Sequence, residues 1–94
     1  MATLSATSYR SDLNLPRQLR DAQTALDNAR RMVQEMEPRL ERIHDLVMND
    51  PNPFMITTLS QCLTIMRSRQ YQVIQAEACV KRIESRIRLL NSAA

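Results

Sequence analysis

The chain has 94 residues, a formal net charge of +3, no glycine, no tryptophan and three aromatic residues. Strands and tight turns favour β-branched, aromatic and glycine residues, so this composition argues against a β-sheet and predicts one small all-helical domain. Thirteen basic residues alternate with ten acidic ones, a pattern typical of a solvated helix surface rather than a nucleic-acid interface. The sequence contains no run of about twenty apolar residues, so it predicts no membrane span.

Residues 1–14 are rich in serine, threonine and alanine and have little periodicity. We interpret this stretch as a flexible tail. It lacks the apolar region of a secretory signal peptide. Asn14 or Asp12 is a candidate cap for the helix that follows, and proline is tolerated in a first helical turn, as at Pro16.

The first predicted helix covers residues 15–49. Its apolar residues recur at alternating spacings of four and three, which is the a/d pattern of a coiled coil. A stripe this narrow predicts packing against one partner helix. Pro38 interrupts the run, so we expect a kink or a split near Met36 or Glu37. The members of the stripe are Leu15, Leu19, Ala22, Leu26, Ala29, Val33, Met36, Leu40, Ile43 and Val47.

The stretch at residues 50–53 predicts a tight reversal of the chain. Pro51 stops the first helix, Asn52 is a good N-cap, and Pro53 fits the first position of a new helix because its missing N–H costs nothing there. Connections this short normally join antiparallel neighbours. The sequence therefore predicts an antiparallel two-helix hairpin with coiled-coil-like packing.

The second predicted helix covers residues 54–90 and has an a/d stripe of its own. Arg69 is the one polar member, and we expect it to pair with Glu35 or Glu37 across the hairpin. The stripe consists of Met55, Leu59, Cys62, Met66, Arg69, Val73, Ala76, Val80, Ile83, Ile87 and Leu90.

The second helix also carries apolar residues beside its stripe, namely Ile56, Leu63, Ile65, Ile74 and Leu89. This apolar shoulder has no partner within the hairpin, so it predicts contact with another chain, either a different helical protein or a second copy. The predicted partner-binding residues are Ile56, Leu59, Leu63, Met66, Val73, Ile74, Val80, Ile83 and Ile87.

No set of residues predicts catalysis, a metal site or a cofactor. His44 has no nucleophile beside it. Cys62 and Cys79 would lie about 25 Å apart on one helix, too far for a disulfide. The methionines are explained as core residues, although Met55 and Met66 offer an alternative as part of an adaptable groove. The basic residues 81–88 are explained by their position near a helix C-terminus.

With the hairpin in place, the chain resembles the small helical-hairpin proteins of bacterial type III secretion. The helix from Leu15, the "NDP" break at residues 49–51, Phe54 after it and the long second helix resemble the co-chaperone of the needle subunit. "DPNPFMITTLSQCL" and "RQYQ" resemble the needle subunit itself. The long first helix and the single residue between Pro51 and Pro53 depart from needle subunits, which favours the co-chaperone.

This resemblance implies a non-catalytic cytoplasmic chaperone or co-chaperone that covers an amphipathic helix of a self-assembling partner. The alternative is a self-polymerising structural subunit of the secretion apparatus, which would be extracellular. A third hypothesis, which we consider weaker, is a basic coiled coil associated with nucleic acid.

Overall fold

The computed structural model describes residues 14–93, which form two α-helices. Helix α1 runs from Leu15–Asn49 and helix α2 from Pro53–Ala93. They pack side by side along most of their length, so the protein is an antiparallel two-helix hairpin. Except for residue 14, the predicted tail lies outside the described residues. The second helix extends three residues beyond its predicted end.

The predicted a/d stripes form the interface between the helices. Every stripe residue of α1 is buried or half-buried, and so is every stripe residue of α2 up to Ile87. Leu90 is the exception, with 46% of its surface exposed. Leu90 lies near the open end of the hairpin, where α1 begins at Leu15.

The turn is fixed by a hydrogen bond on each side. The amide of Asp50 donates to the carbonyl of Leu46 at 2.9 Å, which closes the last turn of α1. The side-chain oxygen Oδ1 of Asn52 accepts a bond from the amide of Met55 at 2.9 Å and so caps α2. These bonds give hydrogen-bond partners to backbone groups at the end of α1 and at the start of α2, on either side of a three-residue connection.

Helix α1 passes through Pro38 without a break, so the chain does not split there; the bend of its axis stays a prediction. At the start of α1 the predicted side-chain cap by Asn14 is wrong. The backbone carbonyl of Asn14 accepts from the amide of Gln18 at 2.9 Å, without a capping bond from the side chain.

The hairpin measures 63 × 26 × 16 Å, which is one layer of two helices. Such a layer encloses little. Within residues 14–92 the side chains that are buried are all apolar, and none is fully enclosed: Leu15, Leu26, Ala29, Met36, Met66 and Val80. Neither described helix has the apolar stretch needed to cross a membrane.

Candidate helix-binding groove

Three aliphatic side chains of α2 lie exposed along one flank of the hairpin. Ile56, Leu63 and Ile74 have 50%, 38% and 61% of their surface exposed. Ile56 and Leu63 are seven residues apart and so lie on one line along the helix, next to the a/d stripe. Ile74 lies on the adjacent line. The predicted shoulder is therefore exposed here, in reach of another chain.

The other six predicted partner-binding residues lie between the two helices. Met66 and Val80 are buried, and the rest are half-buried. These six residues belong to the α2 stripe, so their apolar surface packs against α1 and holds the hairpin together. A partner that docks on the closed hairpin therefore reaches mainly the three exposed residues. The half-buried residues are Leu59, Val73, Ile83 and Ile87.

The shoulder is also divided between faces of α2. Ile65 is exposed and lies seven residues before Gln72, which lines a shallow depression with Met32 on the opposite flank. Leu89 is exposed as well, near the open end of the hairpin. The sequence predicted one shoulder, whereas the structure has apolar residues on two flanks.

A groove begins beside the turn, on the flank of Leu63. Leu40 of α1 and the α2 residues Leu59 and Leu63 give it apolar walls. Its volume is about 400 Å³, and it is open along its length. Small-molecule sites of this volume enclose most of their ligand. An open trough instead suits a row of side chains from a helix.

Helix α1 adds a polar rim to this part of the groove. Glu37, Glu41 and His44 line it together with the leucines. The Nδ1 atom of His44 lies 3.8 Å from a carboxylate oxygen of Asp45, and both side chains are well exposed. The rim is therefore acidic at Glu37 and Glu41, beside an apolar trough.

The groove continues along the same flank into a second depression. Glu37 also lines this one, which includes Val33, Val73 and Ile74. We call these two depressions together the flank groove. A third depression lies near the open end, between Leu19 and Ile87, and shares no lining residue with the other two.

One ion pair crosses the hairpin between the second and third depressions. A guanidinium nitrogen of Arg30 lies 3.5 Å from a carboxylate oxygen of Glu77. Both side chains are about half exposed, so the pair stabilises the hairpin by at most about 1 kcal/mol. The two charges offset each other, so this part of the flank is nearly neutral.

The predicted partner of Arg69 is wrong. Its guanidinium donates to the backbone carbonyl of Met32 at 3.0 Å instead of pairing with Glu35 or Glu37. The carbonyl has a second lone pair free for this bond because the helix uses only one. Glu35 lies on the outer surface, 3.9 Å from Arg31.

The remaining candidates for chemistry stay apart. Cys62 is half-buried, Cys79 is exposed, and both are free thiols. No three His, Cys, Asp or Glu side chains come together as metal ligands anywhere between residues 14 and 93. Of the basic residues at 81–88, Arg88 lines the third depression.

The contribution of α1 to the groove was not predicted from the sequence. Glu37 and His44 are seven residues apart and immediately follow the a/d residues Met36 and Ile43. That position borders the interface in any heptad helix, so the spacing alone was a usable signal. The apolar shoulder drew attention only to α2.

Comparison with protein-family models, with curated proteins and with solved structures finds no match to this chain. The likeness to type III secretion hairpins therefore rests on the residues alone.

Proposed function

We propose that this hairpin is a non-catalytic binding module that holds an amphipathic helix of another protein in its flank groove. The observation that carries the proposal is the trough beside the turn, where Leu40, Leu59 and Leu63 lie below the acidic rim of Glu37 and Glu41. A helix fits when its apolar residues recur every three or four positions and basic residues border that stripe.

The charges define the client more closely than the apolar residues do. Glu37 and Glu41 are both exposed at the rim, and neither forms an ion pair with a basic side chain of the described residues. Lysine or arginine side chains of a client would lie beside them, which sets orientation and speeds association. An acidic client helix would be repelled.

In the setting that the sequence resemblance implies, the client is a helix that otherwise drives self-assembly, such as that of a needle subunit. Binding to the unassembled form stabilises it by mass action against its polymer. This specific role of type III secretion co-chaperone is supported by the likeness of residues 15–90, with "NDP" at residues 49–51 and Phe54 after it.

Leu63→Asp tests the proposal when the protein is co-expressed with a needle subunit from the same genome. Only the exposed 38% of Leu63 can be buried by a partner, which contributes about 0.6–1.1 kcal/mol, so its loss should weaken binding roughly 3- to 7-fold, and the new carboxylate weakens it further. Most of Leu63 is already covered within the hairpin, so circular dichroism must show that the variant keeps its helical content before its binding is compared. Ser68→Asp, exposed on the same helix, is the matched control.

Retained binding by Leu63→Asp would place the client elsewhere. Equal loss in both variants would show that charge on α2, rather than the groove, decides binding.

A second function, a self-polymerising subunit, is favoured by one observation. Exposed apolar residues also lie on the opposite flank, at Met32 and Ile65. Exposed apolar surfaces on two opposite flanks permit open-ended assembly. Growth of the purified protein into filaments would support this function and contradict the chaperone.

A further inference from the structure

We propose that the flank opposite the flank groove is a second docking surface, which binds an acidic amphipathic helix of another protein. We call this surface the arginine flank and define it by Met32, Arg39, Arg42 and Leu46 of α1 with Ile65 of α2. The hairpin then holds two helices of opposite charge, one on each side. This inference does not depend on the proposed function, because the two surfaces share no residue.

Exposed apolar residues and an arginine alternate along one edge of α1. Met32, Arg39 and Leu46 follow each other at intervals of seven, and each directly precedes a stripe residue, so they lie on one line beside the interface. Met32 and Leu46 are exposed, although both are large and apolar. A partner that covers this edge therefore buries apolar surface on either side of Arg39.

Ile65 extends the apolar surface onto α2. The guanidinium of Arg69 reaches the backbone carbonyl of Met32, so residues 69 and 32 lie at about the same level of the hairpin. Because the helices are antiparallel, Ile65 lies about one helical turn nearer the chain reversal, between the levels of Met32 and Arg39. Its exposed side chain thus lies across the flank from the line on α1.

A shallow depression continues the arginine flank toward the open end of the hairpin. Its volume is about 400 Å³, and Ala25 and Met32 of α1 line it together with Gln72 and Gln75 of α2. The small side chain of alanine lets another helix approach closely, and the amides are neutral. Ala25 and Leu46 are 21 positions apart. The whole surface is therefore about 32 Å long, which matches a helix of about six turns.

The arginine flank is positively charged beside its exposed apolar residues. Arg42 lies three residues after Arg39 on the neighbouring line, and both side chains are exposed. Neither forms an ion pair with a carboxylate of residues 14–93, and Glu35, four residues before Arg39, lies 3.9 Å from Arg31 instead. Over the same described residues, the two lines that border the interface on this flank contain no acid. The two arginines are therefore available to the carboxylates of a partner.

The two edges of α1 have opposite charge over the same short stretch. Glu37 and Glu41 lie at the rim of the flank groove, whereas Arg39 and Arg42 lie on the other edge of the helix. Two residues correspond to about 200° of helical rotation, so Glu37 and Arg39 project to opposite sides. An acidic helix is therefore repelled by the flank groove and attracted by the arginine flank, and a basic helix has the reverse preference.

The shape and the chemistry of the arginine flank fit a helix better than a lipid surface. A helix that lies in a membrane interface has a continuous apolar face, whereas Arg39 interrupts the apolar line between Met32 and Leu46. Arginine also binds carboxylates through two parallel hydrogen bonds. This geometry suits glutamate or aspartate residues that border the apolar stripe of a partner helix.

Two designed peptides of about 21 residues, the length of the surface, serve as probes for the full chain. Both have leucine at the a and d positions, but one carries glutamate and the other lysine at the bordering positions. Fluorescence anisotropy measures the affinity of each peptide, and a photoreactive side chain at residue 46 or at residue 63 shows where it lies. We expect the acidic peptide to form an adduct from residue 46 alone.

Arg39→Gln with Arg42→Gln should weaken binding of the acidic peptide roughly 3- to 30-fold, because two exposed charge pairs are lost. The control is Arg17→Gln with Arg20→Gln, which has the same spacing and the same change of net charge. It should change the affinity less than about twofold at physiological salt, because both residues lie beyond the end of the surface. Circular dichroism should find both variants folded, since all four side chains are exposed.

Four results would overturn the arginine flank as a helix-binding surface. They are no binding of the acidic peptide at low salt, an adduct of that peptide from residue 63, equal loss of affinity in the control, and no loss in Arg39→Gln with Arg42→Gln. Two other occupants would also overturn it. One is a vesicle that contains phosphatidylglycerol, and the other is a second copy in a growing filament, if either binds the wild type but not this variant.

The lysine peptide keeps this inference and the proposed function apart. An adduct of the lysine peptide from residue 63, without binding of the acidic peptide, would overturn the arginine flank and leave the proposed function standing. Binding of the acidic peptide through residue 46, without any binding of the lysine peptide, would support the arginine flank and count against the proposed function alone.

Discussion

The paired methionines of the hairpin interface offer the sharpest test of the fold. Met36 and Met66 have 4% and 6% of their surface exposed and belong to the facing stripes of α1 and α2. Met48 has the same chemistry but is 71% exposed beside the turn. Truncation to alanine at Met66 and at Met48 therefore separates burial from side-chain type.

Met66→Ala should lower the free energy of unfolding by about 2–3 kcal/mol. Buried methionine truncations cost about 2–5 kcal/mol, and a single layer of two helices can close part of the void, which favours the low end. For a domain of this size that loss lowers the thermal midpoint by roughly 10–20 °C. Met48→Ala should change the free energy by less than about 0.5 kcal/mol.

The assay is urea or thermal unfolding followed by circular dichroism at 222 nm. All variants are compared at one chain concentration, because any self-association adds to the apparent stability. Equal effects of the two truncations, or a loss below about 0.5 kcal/mol for Met66→Ala, would refute this interface.

Three further substitutions test the turn, the interrupted helix and the polar position. Asn52→Ala should cost about 1 kcal/mol in urea unfolding because it removes the cap of Met55 N–H, whereas Asn91→Ala should cost almost nothing; equal losses would refute the capping role. Pro38→Ala should raise the free energy of unfolding by about 1–3 kcal/mol, since it restores a missing backbone bond; a loss would mean that the bend is required. Arg69→Leu should leave the thermal midpoint unchanged or raise it, because leucine keeps the apolar packing at this position. Arg69→Ala should lower the midpoint, because the packing of the aliphatic stem is lost. A large loss with leucine would mean that the hydrogen bond to Met32 stabilises the hairpin more than this packing does.

The fold could be predicted from the sequence because heptad spacing fixes which face of a helix is buried. The α1 stripe from Leu15 to Val47 names the same residues that the structure buries or half-buries there, together with Gln18. The turn could also be predicted, because Pro51 ends the first helix, Asn52 caps the second and Pro53 suits its first position. Residues 1–13 lie outside the described part of the chain.

Long side chains were harder to place. Spacing gives the level of Arg69, but not whether its flexible arm reaches a carboxylate or a backbone carbonyl. Because long side chains are flexible, the pair between Arg30 and Glu77, which joins the two helices, was also not predicted.

The candidate site was predicted only in part. The surplus of apolar residues on α2 predicted an exposed surface, and Ile56, Leu63 and Ile74 supply it. The sequence did not separate those three from stripe residues such as Met66. A residue that α1 covers is not available to a partner, so the two groups exclude each other. Only the paired structure assigns each residue to one or the other.

The central claim is that the flank groove binds a helix of another protein. Site-specific photocrosslinking from residue 63 in the native host tests it most directly, with residue 68 on the outer face of α2 as the control position. We expect an adduct from residue 63 alone, in which mass spectrometry identifies a different protein, linked through a helix that carries basic residues beside its apolar stripe. No adduct, equal adducts from both positions, or an adduct only with a second copy of the chain would contradict the claim.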